Sequence, residues 1–270
     1  LLVGTPYWTS YPEIVQLARA TPVFVQGAAE RGVVLTPDDL DAAVTERTKG
    51  LLFSTPSNPT GTVYSTEQLR AVAEWARDRG VLVLSDEIYS RLSYDVEAES
   101  IVSQPGMAER TIIADGFSKT YAMTGWRLGF GVMPEFLAQA VAKLQTNCTS
   151  CTAAFTQIAG AEALTGPQDE VRSMVAEFQA RRDLLVDGLN AIDGVSCKRP
   201  RGAFYVFPNI KETGMGSQEM ADKILNEAGV ACLSGTCFGS FGEGYIRFSY
   251  ANSLENIKEA LSRIKNMMEG

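Results

Sequence analysis

Between residues 50 and 135, short apolar runs alternate with a segment of helical periodicity. In this segment Ser65 and Gln68 form a predicted capping box, apolar residues recur at helical spacing, and Gly80 ends the helix. Three runs are apolar on consecutive residues, as strands covered on both faces are: GLLFST at 50–55, VLVLS at 81–85 and TIIAD at 111–115. This β-α-β pattern predicts an α/β fold with a mostly parallel sheet between helices.

The pattern changes near residue 166. A long amphipathic helix is predicted to begin near Pro167, and a final helix ends the chain. Between them lie three strand-like runs: AFYVF at 203–207, VACL at 230–233 and YIRFSY at 245–250. We therefore expect a large domain over residues 1–166 and a smaller α+β domain over residues 167–270.

In YIRFSY, alternation places Arg247 on the face opposite Ile246, Phe248 and Tyr250. Strand geometry alone favours a solvent-exposed arginine at this position.

Polar side chains follow the three predicted strands of the first domain. Asn58 follows the first strand, Asp86 and Tyr89 follow the second, and Ser118 and Lys119 follow the third. Because parallel strands present their carboxyl ends at one edge, and open α/β sheets bind ligands there, these groups are expected to form a site. Surface exposure for Lys119 and helix capping for Asp86 are the plain alternatives.

Composition narrows the function classes. The 270 residues carry a net charge of -8, which argues against nucleic acid or an anionic membrane as the main partner. The longest apolar runs are too short to span a bilayer, and the amino terminus lacks the basic-then-apolar order of a signal peptide. A cytoplasmic location is expected.

Cysteine and histidine usage limits the chemistry further. The five cysteines are an odd number, which fits a reduced setting better than a disulfide framework. Cys148 and Cys151 form a single C-x-x-C. We interpret them as small buried residues, and a metal or redox site is the alternative. Because the chain has no histidine, acid-base chemistry must come from Lys, Tyr, Asp, Glu or Cys.

Several motifs together resemble one family. The class I aminotransferases of fold type I, which use pyridoxal 5'-phosphate, have similar segments in the same order, and the bacterial aspartate aminotransferase branch is the most similar. The motifs are SNPTG around Asn58, LSDEIYSRLSY, GFSKTYAMTGWRLGF, YIRFSYANS around Arg247, TPYWTSYPE at the start and TSCTAAFTQ at 149–157.

The resemblance implies roles for the groups that follow the strands. Lys119 matches the catalytic lysine that forms a Schiff base with the cofactor and then moves a proton, two tasks that need a depressed pKa. Asp86 matches the carboxylate that pairs with the pyridine nitrogen of the cofactor. Tyr89 and Asn58 match the groups that bind its phenolic oxygen, and Asn58 also reaches the substrate carboxylate.

The remaining expected ligands lie elsewhere in the motifs. Trp8 resembles the indole that stacks on the cofactor ring beside the substrate, against the alternative of a core tryptophan. Arg127 matches the phosphate ligand. Ser118 is a weaker candidate for the phosphate, because many relatives place that hydroxyl three residues before the lysine, where this chain has Gly116. Arg247 resembles the arginine that binds every substrate carboxylate through two parallel hydrogen bonds, which reverses the interpretation from strand geometry.

The implied function is transfer of an amino group from an L-amino acid, with aspartate favoured, to a 2-oxo acid such as 2-oxoglutarate, in a homodimer. Aromatic, alanine and prephenate-type donors stay open. A carbon-sulfur lyase and the sensing domain of a transcription regulator are the alternatives. The chain opens on the apolar run LLVGTPYW, so we expect a missing amino-terminal segment that completes the phosphate site. Either the 270 residues are a fragment of a longer enzyme, or the chain is inactive as it stands.

Overall fold

A computed structural model describes residues 1–269. Its six-stranded sheet has the order β2-β1-β3-β4-β5-β6, and all neighbours are parallel except the antiparallel pair β5 and β6. The strands are β1 Leu2–Thr5, β2 Val23–Gln26, β3 Gly50–Ser54, β4 Leu82–Asp86, β5 Thr111–Gly116 and β6 Gly129–Val132. The mostly parallel α/β sheet predicted from the sequence is confirmed.

Five helices accompany this sheet, and three more belong to the carboxyl-terminal part. They are α1 Tyr11–Leu17, α2 Pro37–Asp41, α3 Thr66–Asp78, α4 Glu135–Thr149, α5 Ala154–Thr165, α6 Asp169–Asn190, α7 Ser217–Ala228 and α8 Leu254–Glu269. Within residues 1–269, no helix combines the length and apolar character that a bilayer crossing requires.

The predicted capping box of α3 is present. The Ser65 hydroxyl accepts from the Gln68 amide at 3.3 Å, and the Gln68 side chain accepts from the Ser65 amide at 2.8 Å. Gly80 follows the helix with a positive φ of 64°, a conformation that glycine adopts without strain. Local capping therefore fixes both ends of the helix between β3 and β4.

A small antiparallel sheet of order β7-β9-β8 lies in the carboxyl-terminal part. Its strands are β7 Tyr205–Val206, β8 Leu233–Ser234 and β9 Ile246–Ser249. The strand-like runs AFYVF and VACL carry shorter strands than the runs themselves: Tyr205–Val206 lies in the first run, and only Leu233 of the second lies in β8. Ala203 has a φ of +57° and Pro208 lacks an amide donor, so extended pairing is interrupted on both sides of β7.

Two hydrophobic clusters pack on the large sheet and a third fills the carboxyl-terminal part. This third cluster also contains Tyr89, Leu92 and Tyr94, which follow β4. The segment after β4 therefore packs its aromatic side chains against the carboxyl-terminal elements. The two-domain division at residue 166 stays a prediction.

An apolar surface lies on three consecutive elements, β6, α4 and α5. All four residues of β6 are exposed, and α4 has no buried residue. The exposed apolar side chains include Phe130, Val132, Phe136, Phe155 and Ile158. Groups of exposed apolar side chains mark interaction surfaces in soluble proteins.

A buried arginine joins α6 to two loops. The Arg182 side chain is 2% exposed, and its guanidinium donates to Asp95 at 2.7 Å, to Asp183 at 2.8 Å and to the Pro200 carbonyl at 3.1 Å. Its Cζ lies 5.0 Å from the centroid of the Tyr94 ring. These contacts fix α6 against the segment after β4 and the loop before β7.

Arg182→Met should lower the free energy of unfolding by about 2 kcal/mol, because the apolar substitute keeps the packing volume but loses several charged hydrogen bonds. Urea denaturation followed by circular dichroism measures the change. The matched control is Arg172→Met, whose exposed ion pair with Asp169 should contribute less than about 0.5 kcal/mol. Equal losses in the two variants would contradict a structural role for Arg182.

Candidate active site

Three adjacent parallel strands bring the predicted polar groups to one edge of the sheet. In the register Ser54 pairs with Asp86, and Asp86 pairs with Ala114, so β3, β4 and β5 end side by side. Asn58 lies four residues after β3 and Lys119 lies three residues after β5. The expected grouping of these residues at the carboxyl ends of the strands is therefore present.

Lys119 provides an amine beside two aromatic rings. Its Nζ lies 6.0 Å from the centroid of the Tyr89 ring and 5.6 Å from that of Phe204. Partial burial, and then the positive charge of Arg127, lower the pKa of this amine. No carboxylate within residues 1–269 forms an ion pair with it. The neutral, nucleophilic form of the amine is therefore more favoured in this site than it is for a lysine in water.

Asp86 provides a carboxylate held from two sides. Its Oδ2 accepts from the Tyr11 hydroxyl at 2.5 Å and its Oδ1 accepts from the Ile88 amide at 3.2 Å. Burial raises its pKa, and burial followed by the Asp86 charge raises the pKa of Tyr11. A carboxylate that is positioned but has no cation beside it suits a cationic ring nitrogen.

Tyr11 is a site residue that sequence reasoning missed. Its buried phenol lies at the start of α1 and contacts Trp8 edge to face, with ring centroids 5.5 Å apart. The available signal was its position three residues after Trp8 in the motif TPYWTSYPE. Trp8 itself is 39% exposed, so it is not a core residue and its ring is open to a ligand.

Arg247 contacts Asn58 across the two parts of the chain. Arg247 Nη1 donates to Asn58 Oδ1 at 2.8 Å, and its Cζ lies 4.3 Å from the centroid of the Tyr205 ring and 4.7 Å from that of Phe238. Burial lowers the pKa of Arg247. The solvent exposure of Arg247 that strand geometry favours is therefore wrong. β9 is the central strand of its sheet, and the face that carries Arg247 meets Asn58.

The Nε of Arg247 is buried and has no hydrogen-bond partner within residues 1–269. A buried, unpaired guanidinium donor is costly. An anion that accepted from this edge would remove the cost, and a carboxylate has the geometry to do so through two oxygens. Arg247 is accordingly prepared for an anionic ligand.

Tyr89 and Tyr205 form a pair of buried phenols whose hydroxyl oxygens are 3.0 Å apart. Burial is the largest cause that raises the pKa of Tyr89, and the neighbouring Tyr205 adds to it. The sequence analysis identified Tyr89 and missed Tyr205. Alternation in AFYVF could not show which face Tyr205 occupies, because β7 is only two residues long.

Arg127 and Ser118 lie at the edge of this group. Arg127 is exposed, has a φ of +54°, and donates to the Thr124 carbonyl at 2.9 Å. The structure gives neither Arg127 nor the half-buried Ser118 a hydrogen bond to another predicted site residue. At Gly116 an added Cβ would lie 3.0 Å from both Gly129 Cα and the Leu128 carbonyl oxygen, so a hydroxyl-bearing side chain has little room there.

The cysteines are dispersed. Cys148 and Cys151 are exposed, so the interpretation of this pair as small buried residues was wrong, whereas Cys197 is buried. In the part of the chain that the structure describes, no group of three His, Cys, Asp or Glu residues could hold a metal ion.

The donor set fits pyridoxal 5'-phosphate. Lys119 supplies an amine with a lowered pKa, Asp86 a carboxylate for a ring nitrogen, Tyr89 a phenol, Arg127 an open guanidinium and Trp8 an open ring. These are the chemical groups that an aldehyde, a pyridinium, a phenolic oxygen, a phosphate and an aromatic face require.

A mostly parallel sheet with an amine, a carboxylate and a phenol at its strand ends matches the arrangement expected of a fold type I transferase. Residues 1–264 match the family described as aminotransferase class I and II. The chain belongs to this family, whose members depend on pyridoxal phosphate.

Similar proteins carry several substrate names. A putative aminotransferase of Bacillus subtilis is 46% identical over 268 residues, covering 99% of this chain and 69% of that protein. An aspartate aminotransferase of Pyrococcus abyssi is 42% identical, with 99% and 69% covered. The crystal structure of an aromatic aminotransferase from Pyrococcus horikoshii superposes with a TM-score of 0.97 at 39% identity, covering 99% of this chain and 72% of that one. The chain thus spans about 70% of these relatives.

Asp115 should make stability depend on pH. Burial raises its pKa from 3.8 to about 6. The folded chain therefore holds this proton more tightly than the unfolded chain does. The contribution of Asp115 to the free energy of unfolding is complete below pH about 4 and is lost as the pH rises to about 6. Across that window the wild type should lose roughly 1 kcal/mol of its free energy of unfolding through this group, a value that allows for the partial exposure of the carboxyl. Asp115→Asn should not show this loss.

Urea denaturation at pH 4 and pH 7 measures this difference. Asp193→Asn controls for the loss of an exposed carboxylate. Identical pH profiles for wild type and Asp115→Asn would contradict the assignment.

Proposed function

We propose that this aminotransferase moves an amino group between L-aspartate and a 2-oxo acid, with 2-oxoglutarate as the acceptor. The unpaired, buried Nε of Arg247 is the observation that carries the proposal. Amino acids and 2-oxo acids share a carboxylate beside the reacting carbon, so one guanidinium can bind both substrates in turn. Asn58 orients Arg247 through its 2.8 Å hydrogen bond and adds its amide to the same carboxylate site.

Pyridoxal phosphate, when bound, supplies an aldehyde for the substrate amine and a ring that accepts electrons from the substrate α-carbon. Lys119 would hold the aldehyde through Nζ, Asp86 the ring nitrogen, Tyr89 and Asn58 the phenolic oxygen, and Arg127 with Ser118 the phosphate. Trp8 would cover the ring face.

The residues of this chain then divide the proton chemistry. Lys119 Nζ would take the proton from the substrate α-carbon and return it, a task that a lowered pKa favours because more of the amine is then unprotonated. Asp86 would favour a proton on the ring nitrogen, because a buried carboxylate is stabilised by a cationic neighbour. Tyr11 holds Asp86 in place through the 2.5 Å hydrogen bond.

Aspartate is the favoured donor because the motifs resemble the bacterial aspartate branch and the Pyrococcus abyssi relative is named an aspartate aminotransferase. The Pyrococcus horikoshii structure is named an aromatic aminotransferase, so an aromatic donor is the second candidate. We also propose a homodimer that uses the apolar surface on β6, α4 and α5, since an exposed surface of this kind is suited to a partner.

Incubation of the full-length protein with pyridoxal phosphate should give a yellow adduct that borohydride fixes on Lys119 and that aspartate discharges. Absorbance spectra and peptide mass mapping measure this. Lys143→Ala, which removes an exposed lysine of α4, should label as wild type does, and Lys119→Ala should not label. Labelling at another lysine would overturn the role of Lys119.

Arg247→Leu should raise KM about ten- to a hundredfold for both the amino acid and the 2-oxo acid, because both lose charged hydrogen bonds to one guanidinium. Steady-state kinetics with each substrate varied in turn measures the change. Arg263→Leu, which removes an exposed arginine paired with Glu259, should leave both constants unchanged. A rise confined to one substrate would mean that Arg247 binds a side chain instead.

A further inference from the structure

Tyr205 lies between two residues to which the proposed function gives different tasks. Its hydroxyl oxygen is 3.0 Å from that of Tyr89, and its ring centroid is 4.3 Å from Arg247 Cζ. The side chain is 7% exposed. One buried phenol therefore contacts both the proposed cofactor ligand and the proposed carboxylate ligand.

The position of Tyr205 is set by the backbone around it. The Ala203 carbonyl accepts from the hydroxyls of Tyr94 at 2.5 Å and Tyr250 at 3.0 Å, which holds Ala203 at its positive φ of 57°. Tyr205 then pairs with Ser249 across β7 and β9. These contacts place the Tyr205 side chain without its hydroxyl, so removal of the hydroxyl should leave the fold intact.

We propose that Tyr205 is a positioning residue that couples the carboxylate site at Arg247 to the cofactor ligand Tyr89, an inference that rests on the proposed function. Its ring supports the face of the Arg247 guanidinium. Its hydroxyl donates to the oxygen of Tyr89 when the Tyr89 hydroxyl donates to the phenolic oxygen of the cofactor.

The hydroxyl contribution has a definite direction. Consecutive hydrogen bonds polarise one another, so donation from the Tyr205 hydroxyl makes the Tyr89 hydroxyl a stronger donor. A stronger donor stabilises negative charge on the phenolic oxygen, and the bound chromophore then loses its proton at lower pH. Asp86, Lys119 and Arg247 are the other charged groups around this pair, and all three are retained in the variants below.

Tyr205→Phe in the chain loaded with pyridoxal phosphate should raise the pH midpoint of the visible absorbance change by about half a unit. Tyr89→Phe should raise it further. In the Tyr89→Phe background, the additional Tyr205→Phe change should have no effect, because the acceptor that transmits it is gone. An equal shift in both backgrounds, or none in the wild-type background, would overturn the coupling.

The ring contribution is tested separately with succinate as a probe of the carboxylate site. Tyr205→Leu should raise the dissociation constant of succinate about tenfold, and Tyr205→Phe should change it less than twofold, since phenylalanine retains the cation–π contact. An unchanged constant in Tyr205→Leu would contradict support of Arg247 by this ring. Circular dichroism checks that each variant is folded.

Tyr64→Phe is the matched control. It removes a buried hydroxyl that accepts from the Leu35 amide at 2.9 Å in the core beside the large sheet, so the midpoint and the succinate constant should both stay at their wild-type values. A shift as large as that of Tyr205→Phe would mean that general loosening of the fold explains the result. If wild-type protein shows no absorbance from a Lys119 adduct, the proposed function fails, which is distinct from failure of the coupling.

Discussion

The hydrogen bond from Arg247 to Asn58 is the contact on which the candidate site depends. It joins residues 189 positions apart and brings the carboxyl-terminal sheet against the edge of the large sheet. The loop contact below it supports this geometry, because the amides of Arg201 and Gly202 donate to the Gly61 carbonyl at 3.1 and 2.9 Å. Gly61 has no room for a side chain, since an added Cβ would lie 2.3 Å from Pro200 Cβ.

The site contains two cationic groups, Lys119 after β5 and Arg247 on β9, and neither forms an ion pair with a carboxylate in the described residues. Burial disfavours the charged forms of Lys119 and Arg247 and lowers both pKa values. Arg247 is placed between aromatic rings and an amide, which orient it but leave its charge uncompensated. The result is a site where an anionic substrate supplies the missing charge and an amine stays reactive.

The sequence predicted the features that depend on local pattern. Consecutive apolar residues predicted β3, β4 and β5, and the Ser65 capping box predicted the start of α3. Parallel strand ends predicted that Asn58, Asp86 and Lys119 share one edge. Solvent exposure of Arg247 was wrong as an interpretation of strand geometry, because alternation tells which face a residue occupies and not what covers that face.

Contacts set by tertiary packing could not be predicted in this way. Tyr11 meets Asp86 through the position of α1 beside β4, and Tyr205 meets Tyr89 across 116 residues. Neither contact leaves a periodic signal in the sequence.

A crystal structure of the full-length protein with pyridoxal phosphate and succinate tests the central claim most directly. The predicted result is continuous density from Lys119 Nζ to the ring and a succinate carboxylate within hydrogen-bond distance of Arg247 Nε. Cofactor bound away from Lys119, or succinate bound with Arg247 Nε still unpaired, would contradict the account.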